Sequence, residues 1–308
     1  MKLATVAPVG SVPPGSMVEL PGRGSTYVID TGPVPAGVRG QRPTLLLLHA
    51  LACTGALTWY PAIEQLAAKA RVVVLDQRWH GRGIRSDRFT LEDCADDATA
   101  LADVLGIDRF VVVGYSMGSL VAQLTARAHP DRVAGMVLCA GTTSFRRGAR
   151  ERIALDALNA SMGALKPGAG PMPADAETRP ARDRTGPDAR SRTESDARSR
   201  AESDARSRAW ALGQFRSTAP GAVGRAVAEI GKFDSSSWIA DLDVPTSVVV
   251  TTKDLIIPPR RQRWMARQIA GASTYEVASG HASCVLEADT FISGLLPACA
   301  SVSSRALP

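Results

Sequence analysis

The chain has 308 residues, of which 45% are hydrophobic and 21% charged. These proportions exclude a wholly disordered chain, a collagen and a coiled coil, and no apolar run approaches the roughly 18 residues of a membrane span. The net charge of +6 does not predict a nucleic-acid partner, because basic residues are interleaved with acidic ones throughout.

Short apolar runs alternate with helical segments along the first 140 residues. This alternation indicates βα units on a mostly parallel sheet, and continuous apolar runs suit strands that are covered by helices on both faces. In chain order the pattern predicts strands at residues 17–20, 26–30 and 44–49, a helix at 57–70, a strand at 71–76, a helix at 91–105, a strand at 110–115, a helix at 117–128 and a strand at 133–140.

A compositional change interrupts this pattern. Residues 165–208 are rich in proline and glycine and then carry the repeat DARSR with a period of eight residues. The repeat has no apolar stripe, and its acid–arginine pairs at i,i+4 spacing suit either a solvated helix or disorder. Within the interruption we expect helices only near residues 150–160 and 209–231.

The α/β pattern then resumes and completes one interrupted domain. We predict a core of residues 15–145 and 235–300 and a cap insertion at residues 146–234. The resumed part is predicted as a helical turn at residues 238–242, a strand at 246–252, a helix at 260–270, a strand at 273–277 and a helix at 284–296.

The motif with the clearest chemistry is Gly114-Tyr115-Ser116-Met117-Gly118, which lies between a predicted strand and a predicted helix. A serine on such a turn projects its hydroxyl above the carboxyl edge of the sheet, and the flanking glycines allow strand and helix to approach closely. We therefore predict Ser116 as a nucleophile. The alternative is an ordinary serine N-cap in a βα turn.

A nucleophilic serine needs a base, and the base needs an orienting acid. Among the four histidines, His281 is the predicted base, because it follows the last strand and fits the chain order serine, acid, histidine. The other three are less suitable: His129 closes the helix after Ser116, His80 lies in a turn, and His49 ends a strand.

The acid is predicted from its position after a strand. Asp254 follows the strand at residues 246–252 and so lies at its carboxyl end, where catalytic groups gather in a parallel sheet. Asp241 and Asp243 precede that strand and lie at its amino end. The separation between Asp254 and His281 leaves room for one helix and one strand. Asp254 is therefore the predicted acid.

Acyl transfer also needs two backbone N–H groups that face the developing oxyanion. One is the amide of Met117, the residue after the predicted nucleophile. The other is expected in the turn that follows His49. This chemistry needs no metal or organic cofactor, and none is predicted. The predicted partner is a small-molecule acyl substrate.

The cysteines and the N-terminal residues predict the location. None of the five cysteines forms a Cys-x-x-Cys pair, which argues against a disulfide framework or a zinc site and favours a reducing compartment. The first 17 residues hold one lysine and a weak apolar stretch broken by three prolines, so they lack a signal-peptide core. We therefore expect a cytoplasmic protein.

These motifs resemble the α/β-hydrolase superfamily, in its esterase, lactonase and proline-iminopeptidase-like branch. The resemblance covers both parts of the predicted core, and the segments around Asp254 (DLIIP) and His281 (GH) are similar to the family's acid and base segments. It maps the second oxyanion amide onto Leu51. It implies a mostly parallel twisted sheet with helices on both faces and an inserted helical cap that sets substrate choice.

Three residues depart from the family's pattern. Ala50 replaces a usual glycine in the oxyanion turn, which narrows the backbone conformations open to that turn. Trp79 replaces a frequent glycine in residues 76–83, which resemble the family's Asp-x-Arg-Gly-x-Gly loop, and Ser119 replaces a frequent glycine after the nucleophile. None of these changes removes a catalytic group.

The residues and the resemblance together predict a serine hydrolase that cleaves a small ester, thioester or lactone through an acyl-enzyme. The same residues serve perhydrolysis, acyl transfer or carbon–carbon bond hydrolysis on similar scaffolds, and the fold does not separate these reactions. An epoxide hydrolase or haloalkane dehalogenase would carry aspartate at position 116. The alternative of another class is a non-catalytic binding module, against which the complete set of catalytic residues argues.

Overall fold

One eight-stranded sheet organises the chain. The computed structural model describes residues 8–9, 12–32, 42–145 and 189–306, with the backbone alone for residues 189–201. The strands are β1 (Ser16–Leu20), β2 (Gly24–Asp30), β3 (Thr44–Leu48), β4 (Arg71–Leu75), β5 (Phe110–Tyr115), β6 (Val133–Cys139), β7 (Thr246–Thr251) and β8 (Ser273–Val277). Their order is β1-β2-β4-β3-β5-β6-β7-β8. The pairs β1–β2 and β2–β4 are antiparallel and the others parallel, which confirms the predicted mostly parallel sheet.

The helix predicted at residues 91–105 begins at the predicted residue, where the sequence carries a capping signal. The Thr90 hydroxyl accepts the N–H of Asp93 at 3.0 Å and starts the second helix, as an N-cap threonine should. The helices are α1 (Gly55–Ala67), α2 (Leu91–Val104), α3 (Met117–Ala128), α4 (Ala189–Arg216), α5 (Pro220–Lys232), α6 (Pro259–Gln268), α7 (Ser283–Leu286) and α8 (Ala288–Ala306). Within the described ranges, none of them is long and apolar enough to cross a membrane.

Helices cover both faces of the sheet. The central strands are apolar at nearly every position, so each face needs its own cover. One cluster of buried side chains includes residues of α1 and α8 with alternate strand residues: Trp59, Ile63, Phe291, Leu295, Leu45, Leu47, Val72 and Val111. The cluster on the other face includes residues of α2, α3 and α6: Leu101, Leu120, Met265, Leu46, Leu48, Val112 and Leu138.

Helix α4 corrects the prediction that helices occur only near residues 150–160 and 209–231. It begins at Ala189 and runs through the repeat as far as Arg216, so the repeat from that residue onward is helical. The physical reason is local, because alanine, arginine and glutamate favour helices and acid–arginine pairs at i,i+4 add to this preference. A helix therefore forms here without an apolar stripe.

Other differences concern the last helix and the cap. The helix predicted at residues 284–296 is wrong in its extent: α7 and α8 are separate, and α8 continues through Pro297 to Ala306. Burial of Cys299 and Val302 provides the tertiary packing that offsets the helix-breaking tendency of proline. The helix predicted at residues 150–160 lies outside the described residues, and the division into core and cap stays a prediction.

Parallel strand pairing brings the segments that carry the predicted site residues to one edge of the sheet. Strands β3, β5, β7 and β8 belong to one continuous block of parallel strands, so their carboxyl ends lie at the same edge of the sheet. Helix α4 approaches this region, because Gln214 Oε1 accepts the Thr54 hydroxyl at 2.7 Å and Trp210 stacks edge-on against Tyr60 with 5.0 Å between ring centroids.

Candidate active site

The turn between β5 and α3 holds Ser116 in a strained backbone conformation. Its φ is 52° and its ψ is −113°, a region that costs a non-glycine residue on the order of 1–3 kcal/mol. The two neighbouring glycine positions have no room for a side chain. A Cβ atom on Gly114 would overlap the carbonyl of Gly118, and a Cβ atom on Gly118 would overlap the carbonyl of Leu48. The close approach that the sequence predicts is therefore present.

The Gly118→Ala variant is expected to be less stable by about 1–3 kcal/mol, the usual effect of overpacking. The added methyl group meets backbone rather than a movable side chain, so β3 and α3 must separate. Urea unfolding measures the change as a lower midpoint. The matched control is Gly213→Ala in α4, where an added Cβ meets nothing within 4 Å and helix propensity favours alanine by about 1 kcal/mol. A Gly118→Ala midpoint equal to or above that of the wild type, as expected for the control, would contradict the close packing at Gly118.

Three predicted side chains are hydrogen-bonded in series at the edge of the sheet. Ser116 Oγ lies 2.9 Å from His281 Nε2, and His281 Nδ1 lies 2.7 Å from Asp254 Oδ2. Because the carboxylate can only accept, Nδ1 carries the hydrogen and Nε2 of the neutral ring is left to accept from Ser116. The Tyr115 hydroxyl donates to the His281 carbonyl at 2.7 Å and thereby positions the histidine loop.

Exposure differs along this series. The Asp254 side chain is fully buried, whereas the His281 side chain is 21% exposed and Ser116 is 8% exposed. Solvent therefore contacts the histidine ring and a small part of the serine, while the acid stays out of water. This arrangement allows the serine hydroxyl to pass its proton to the ring, with the buried carboxylate holding the other side of the ring.

The surroundings of Asp254 keep its carboxyl group ionised. Burial alone would raise the pKa of Asp254, but the hydrogen bonds from His281, the Ile257 N–H and the Thr251 hydroxyl outweigh burial and lower the pKa. Oδ1 accepts the N–H groups of Ile256 and Ile257, each at 2.8 Å. Oδ2 faces His281. The backbone of the loop therefore fixes one oxygen and leaves the other for the histidine.

The turn after β3 lies against the beginning of α3. A Cβ atom on Gly118 would meet the carbonyls of Leu48 and His49, so the helix terminus touches this turn. Met117 is the first residue of α3, and the N–H groups of a first helical turn have no partner within the helix. The structure thus brings the segments of Met117 and Leu51 together, and their role as oxyanion donors stays a prediction.

Hydrogen bonds of His49 fix the peptide that carries the Leu51 amide. The Gln77 N–H donates to His49 Nε2 at 2.8 Å, so the hydrogen of the neutral ring is on Nδ1, which donates to the Ala50 carbonyl at 2.8 Å. Because a peptide is planar and trans, the Leu51 N–H points away from that carbonyl. Burial and the neighbouring His80 lower the pKa of His49 well below its usual range, which keeps the ring neutral.

The His49→Leu variant is expected to reduce kcat of ester hydrolysis by about 10- to 100-fold, less than the loss of a whole oxyanion donor. Leucine cannot hold the Ala50 carbonyl, so the Leu51 amide loses its orientation. The control is His49→Asn, whose amide nitrogen can replace Nδ1 as a donor and should retain more activity. Steady-state kinetics with a p-nitrophenyl ester measure both variants. Equal losses in both would contradict a role for the Nδ1 hydrogen bond.

The three departures from the family's pattern are accommodated. Ala50 is not among the described residues with positive φ, whereas Ala52 (φ 61°) and Trp79 (φ 66°) are. The Trp79 indole N–H donates to the Ser86 carbonyl at 2.8 Å, which helps to offset the strain of its backbone. Ser119 donates to the Ser116 carbonyl at 2.7 Å, so its hydroxyl supports the strained turn.

Other residues at the site were not identified from the sequence. Thr251 and Gln262 are buried and contact Asp254, and Tyr115 contacts the histidine loop. A signal for Gln262 existed, because it lies in the predicted helix at residues 260–270 among positions that face the core. A polar side chain on such a face needs a partner, but the sequence does not name the partner.

Fold and sequence comparisons agree on the family to which the chain belongs. The chain belongs to the α/β-hydrolase fold family, whose model matches residues 43–288. A putative carbamate hydrolase RutD from Caulobacter sp. (strain K31) is 34% identical over 110 residues, which are 35% of this chain and 41% of the relative. That alignment therefore spans less than half of the relative's length.

Solved structures show the same fold at low sequence identity. A thermophilic esterase from Thermogutta terrifontis has a TM-score of 0.68 at 22% identity, covering 94% of this chain and 99% of the esterase. An enol-lactonase from Burkholderia xenovorans LB400 has a TM-score of 0.62 at 21% identity, covering 92% of this chain and all of the lactonase. Both similarities extend across nearly the whole of each chain.

Proposed function

We propose that this protein is a serine hydrolase that cleaves a small ester, thioester or lactone. The observation that carries the proposal is the series of hydrogen bonds from Ser116 Oγ through His281 to Asp254. A serine hydroxyl is a weak nucleophile unless a base lies within hydrogen-bond reach and a third group orients that base. Both conditions are met at the carboxyl edge of the sheet, where the His281 side chain is partly exposed.

The reaction begins at the acyl carbon of the substrate. Ser116 Oγ attacks this carbon while its proton moves to His281 Nε2. The oxygen of the tetrahedral intermediate accepts the N–H groups of Leu51 and Met117. The bond to the leaving group then breaks, and the leaving oxygen or sulfur takes the proton from His281. An ester of Ser116 remains as the acyl-enzyme.

Water completes the cycle through the same groups. It gives a proton to His281 Nε2 and attacks the acyl carbon, and the second tetrahedral intermediate expels Ser116, which regains the proton. Asp254 stays a carboxylate throughout and stabilises the imidazolium through Nδ1. The lowered pKa of Asp254 suits this role.

The comparisons support an acyl substrate. One relative is named a putative carbamate hydrolase, and two proteins of the same fold are named an esterase and an enol-lactonase. Hydrolysis of a carbamate, an ester or a lactone proceeds by attack at a carbonyl carbon. A partial match to an epoxide hydrolase from Mycobacterium tuberculosis covers 28% of that protein. Serine at position 116 favours acyl transfer over epoxide opening, for which this position would hold aspartate.

A substrate panel with a mass measurement tests the proposal. p-Nitrophenyl esters of increasing chain length, an aryl thioester, an aryl lactone and an aryl carbamate are each incubated with the enzyme. Hydrolysis of at least one acyl donor is expected, with an acyl adduct on the Ser116 peptide in rapidly quenched samples. Added alcohol or hydrogen peroxide shows whether transfer competes with hydrolysis. Absence of both turnover and adduct across the panel, or an adduct on another residue, would overturn the proposal.

A further inference from the structure

The buried amide of Gln262 has no place in the reaction described so far. Gln262 lies on α6 with its side chain fully buried, and a buried amide is unfavourable unless its polar atoms are paired. Its nitrogen lies 2.8 Å from the Ile257 carbonyl, 2.9 Å from Thr251 Oγ1 and 3.2 Å from Asp254 Oδ2. Its oxygen accepts the Thr251 N–H at 3.0 Å. The Gln262 amide is therefore hydrogen-bonded to Asp254 and to residues next to it in the fold.

These partners fix the direction of each hydrogen bond. The Thr251 N–H can only donate and the Ile257 carbonyl can only accept, so the amide of Gln262 has a single orientation. One of its N–H bonds serves Ile257, and the other faces Thr251 Oγ1 and Asp254 Oδ2. Thr251 Oγ1 in turn donates to Asp254 Oδ2 at 2.8 Å, a shorter contact than its 3.3 Å to Gln262 Oε1. The Gln262 amide thus donates to the Thr251 hydroxyl, which in turn donates to the Asp254 carboxylate.

The two carboxylate oxygens of Asp254 are held in different ways. Oδ1 accepts backbone N–H groups of its own loop. Oδ2 is the oxygen that faces His281 Nδ1, and its other hydrogen bonds come from the side chains of Thr251 and Gln262. Substitution of those two side chains therefore releases the oxygen that orients the histidine, while the loop backbone still holds the other.

We propose that Gln262 is a positioning residue that holds Asp254 Oδ2 against His281, directly and through the Thr251 hydroxyl. The inference rests on the proposed function, in which Asp254 orients His281. Gln262 lies behind the acid, on the side away from Ser116 in the hydrogen-bond series. Its substitution should therefore reduce kcat and leave KM unchanged.

The first test compares substitutions that keep the shape of each side chain. Gln262→Met keeps the length and removes the amide, and Thr251→Val keeps the branching and removes the hydroxyl. Both are expected to reduce kcat by about 10- to 100-fold, the effect of losing a hydrogen bond to a charged group, with KM within about twofold. Thr251→Ser keeps the hydroxyl and should therefore keep most of the wild-type kcat. A Thr251→Ser variant as impaired as Thr251→Val, or an unchanged kcat in Gln262→Met, would overturn the inference.

The second test places Gln262→Met in the Asp254→Asn background. Residues that act through one group are non-additive, so the further loss of kcat in this background should be less than about threefold. The same fold-loss in both backgrounds would show a general structural role and would overturn the inference.

A spectroscopic readout separates this inference from the proposed reaction. The His281 Nδ1 hydrogen, bonded to a buried carboxylate, should give a low-field proton resonance that is absent in His281→Gln. Gln262→Met and Thr251→Val should both shift or broaden it, even if no ester is ever hydrolysed. If the wild type hydrolyses nothing while this resonance responds, the proposed function fails and the positioning role stands. An unchanged resonance in both variants overturns the positioning role, whatever the substrate.

Discussion

Replacement of Ser116 by alanine is expected to reduce ester hydrolysis by about 10⁴- to 10⁶-fold, the range measured when single members of a Ser-His-Asp triad are removed. His281 then has no hydroxyl to activate, and no second nucleophile is hydrogen-bonded to its Nε2 among the described residues. The loss should appear in kcat/KM for the preferred p-nitrophenyl ester. Covalent labelling by a fluorophosphonate should disappear as well.

Two controls distinguish lost chemistry from lost structure. Ser293→Ala removes an exposed serine of α8 and should retain both activity and labelling. Ser116→Gly should be as inactive as Ser116→Ala but more resistant to urea, because glycine adopts the positive φ of 52° without a steric penalty. Labelling that persists in Ser116→Ala would show that another residue is the nucleophile.

The central sheet could be predicted because its signals are local. The run FVVVGY predicts β5 with the bounds that the structure shows, and the helix predicted at residues 117–128 is α3. Apolar, β-branched residues bounded by turn signals identify a buried strand without knowledge of its neighbours. The candidate site followed from the same reasoning, because the order of serine, acid and histidine can be compared with the order of strands.

The surroundings of the candidate site could not be predicted, because they depend on contacts between distant segments. Gln262 becomes part of the site only when α6 packs against the end of β7, which brings its amide to Thr251 and Asp254. The hydrogen bonds that fix the Leu51 peptide likewise depend on a distant contact. Gln77 follows β4 and donates to His49, which follows the neighbouring strand β3. A sequence shows that each residue is polar and predicts neither pairing.

Departures from a family pattern were harder to judge from the sequence than its matches. Trp79 occupies a left-handed position where glycine is favoured, so its presence implies compensation elsewhere in the fold. That compensation comes from its hydrogen bond to Ser86, its packing on Phe89 and the guanidinium of Arg225 in α5, 5.0 Å from its ring. These partners are seven or more residues away along the chain, beyond the reach of a local motif.

Asp254→Asn is expected to reduce kcat by about 10⁴-fold at neutral pH, the loss known for this substitution when it reverses the histidine tautomer. The structure determines which way the new amide points. Oδ1 accepts two backbone N–H groups, so the amide oxygen must take that place and the NH₂ group must face His281 Nδ1. This group donates to Nδ1 and moves the ring hydrogen to Nε2, which can then no longer accept the proton of Ser116.

The matched control is Asp243→Asn, an exposed aspartate at the opposite end of β7, which should hydrolyse esters as the wild type does. A loss of less than tenfold in Asp254→Asn would contradict the orienting role of the acid.

Stability provides a second measurement on Asp254→Asn. The folded-state pKa of Asp254 is lowered, so its ionisation stabilises the fold above the unfolded-state pKa of about 3.9, and this stabilisation is lost as the pH falls through the folded-state pKa. The difference in unfolding free energy between wild type and Asp254→Asn should therefore shrink as the pH falls below about 4. A difference that is constant or grows under acid would mean that the carboxylate is not stabilised by its partners, and the loss of activity would then need another cause.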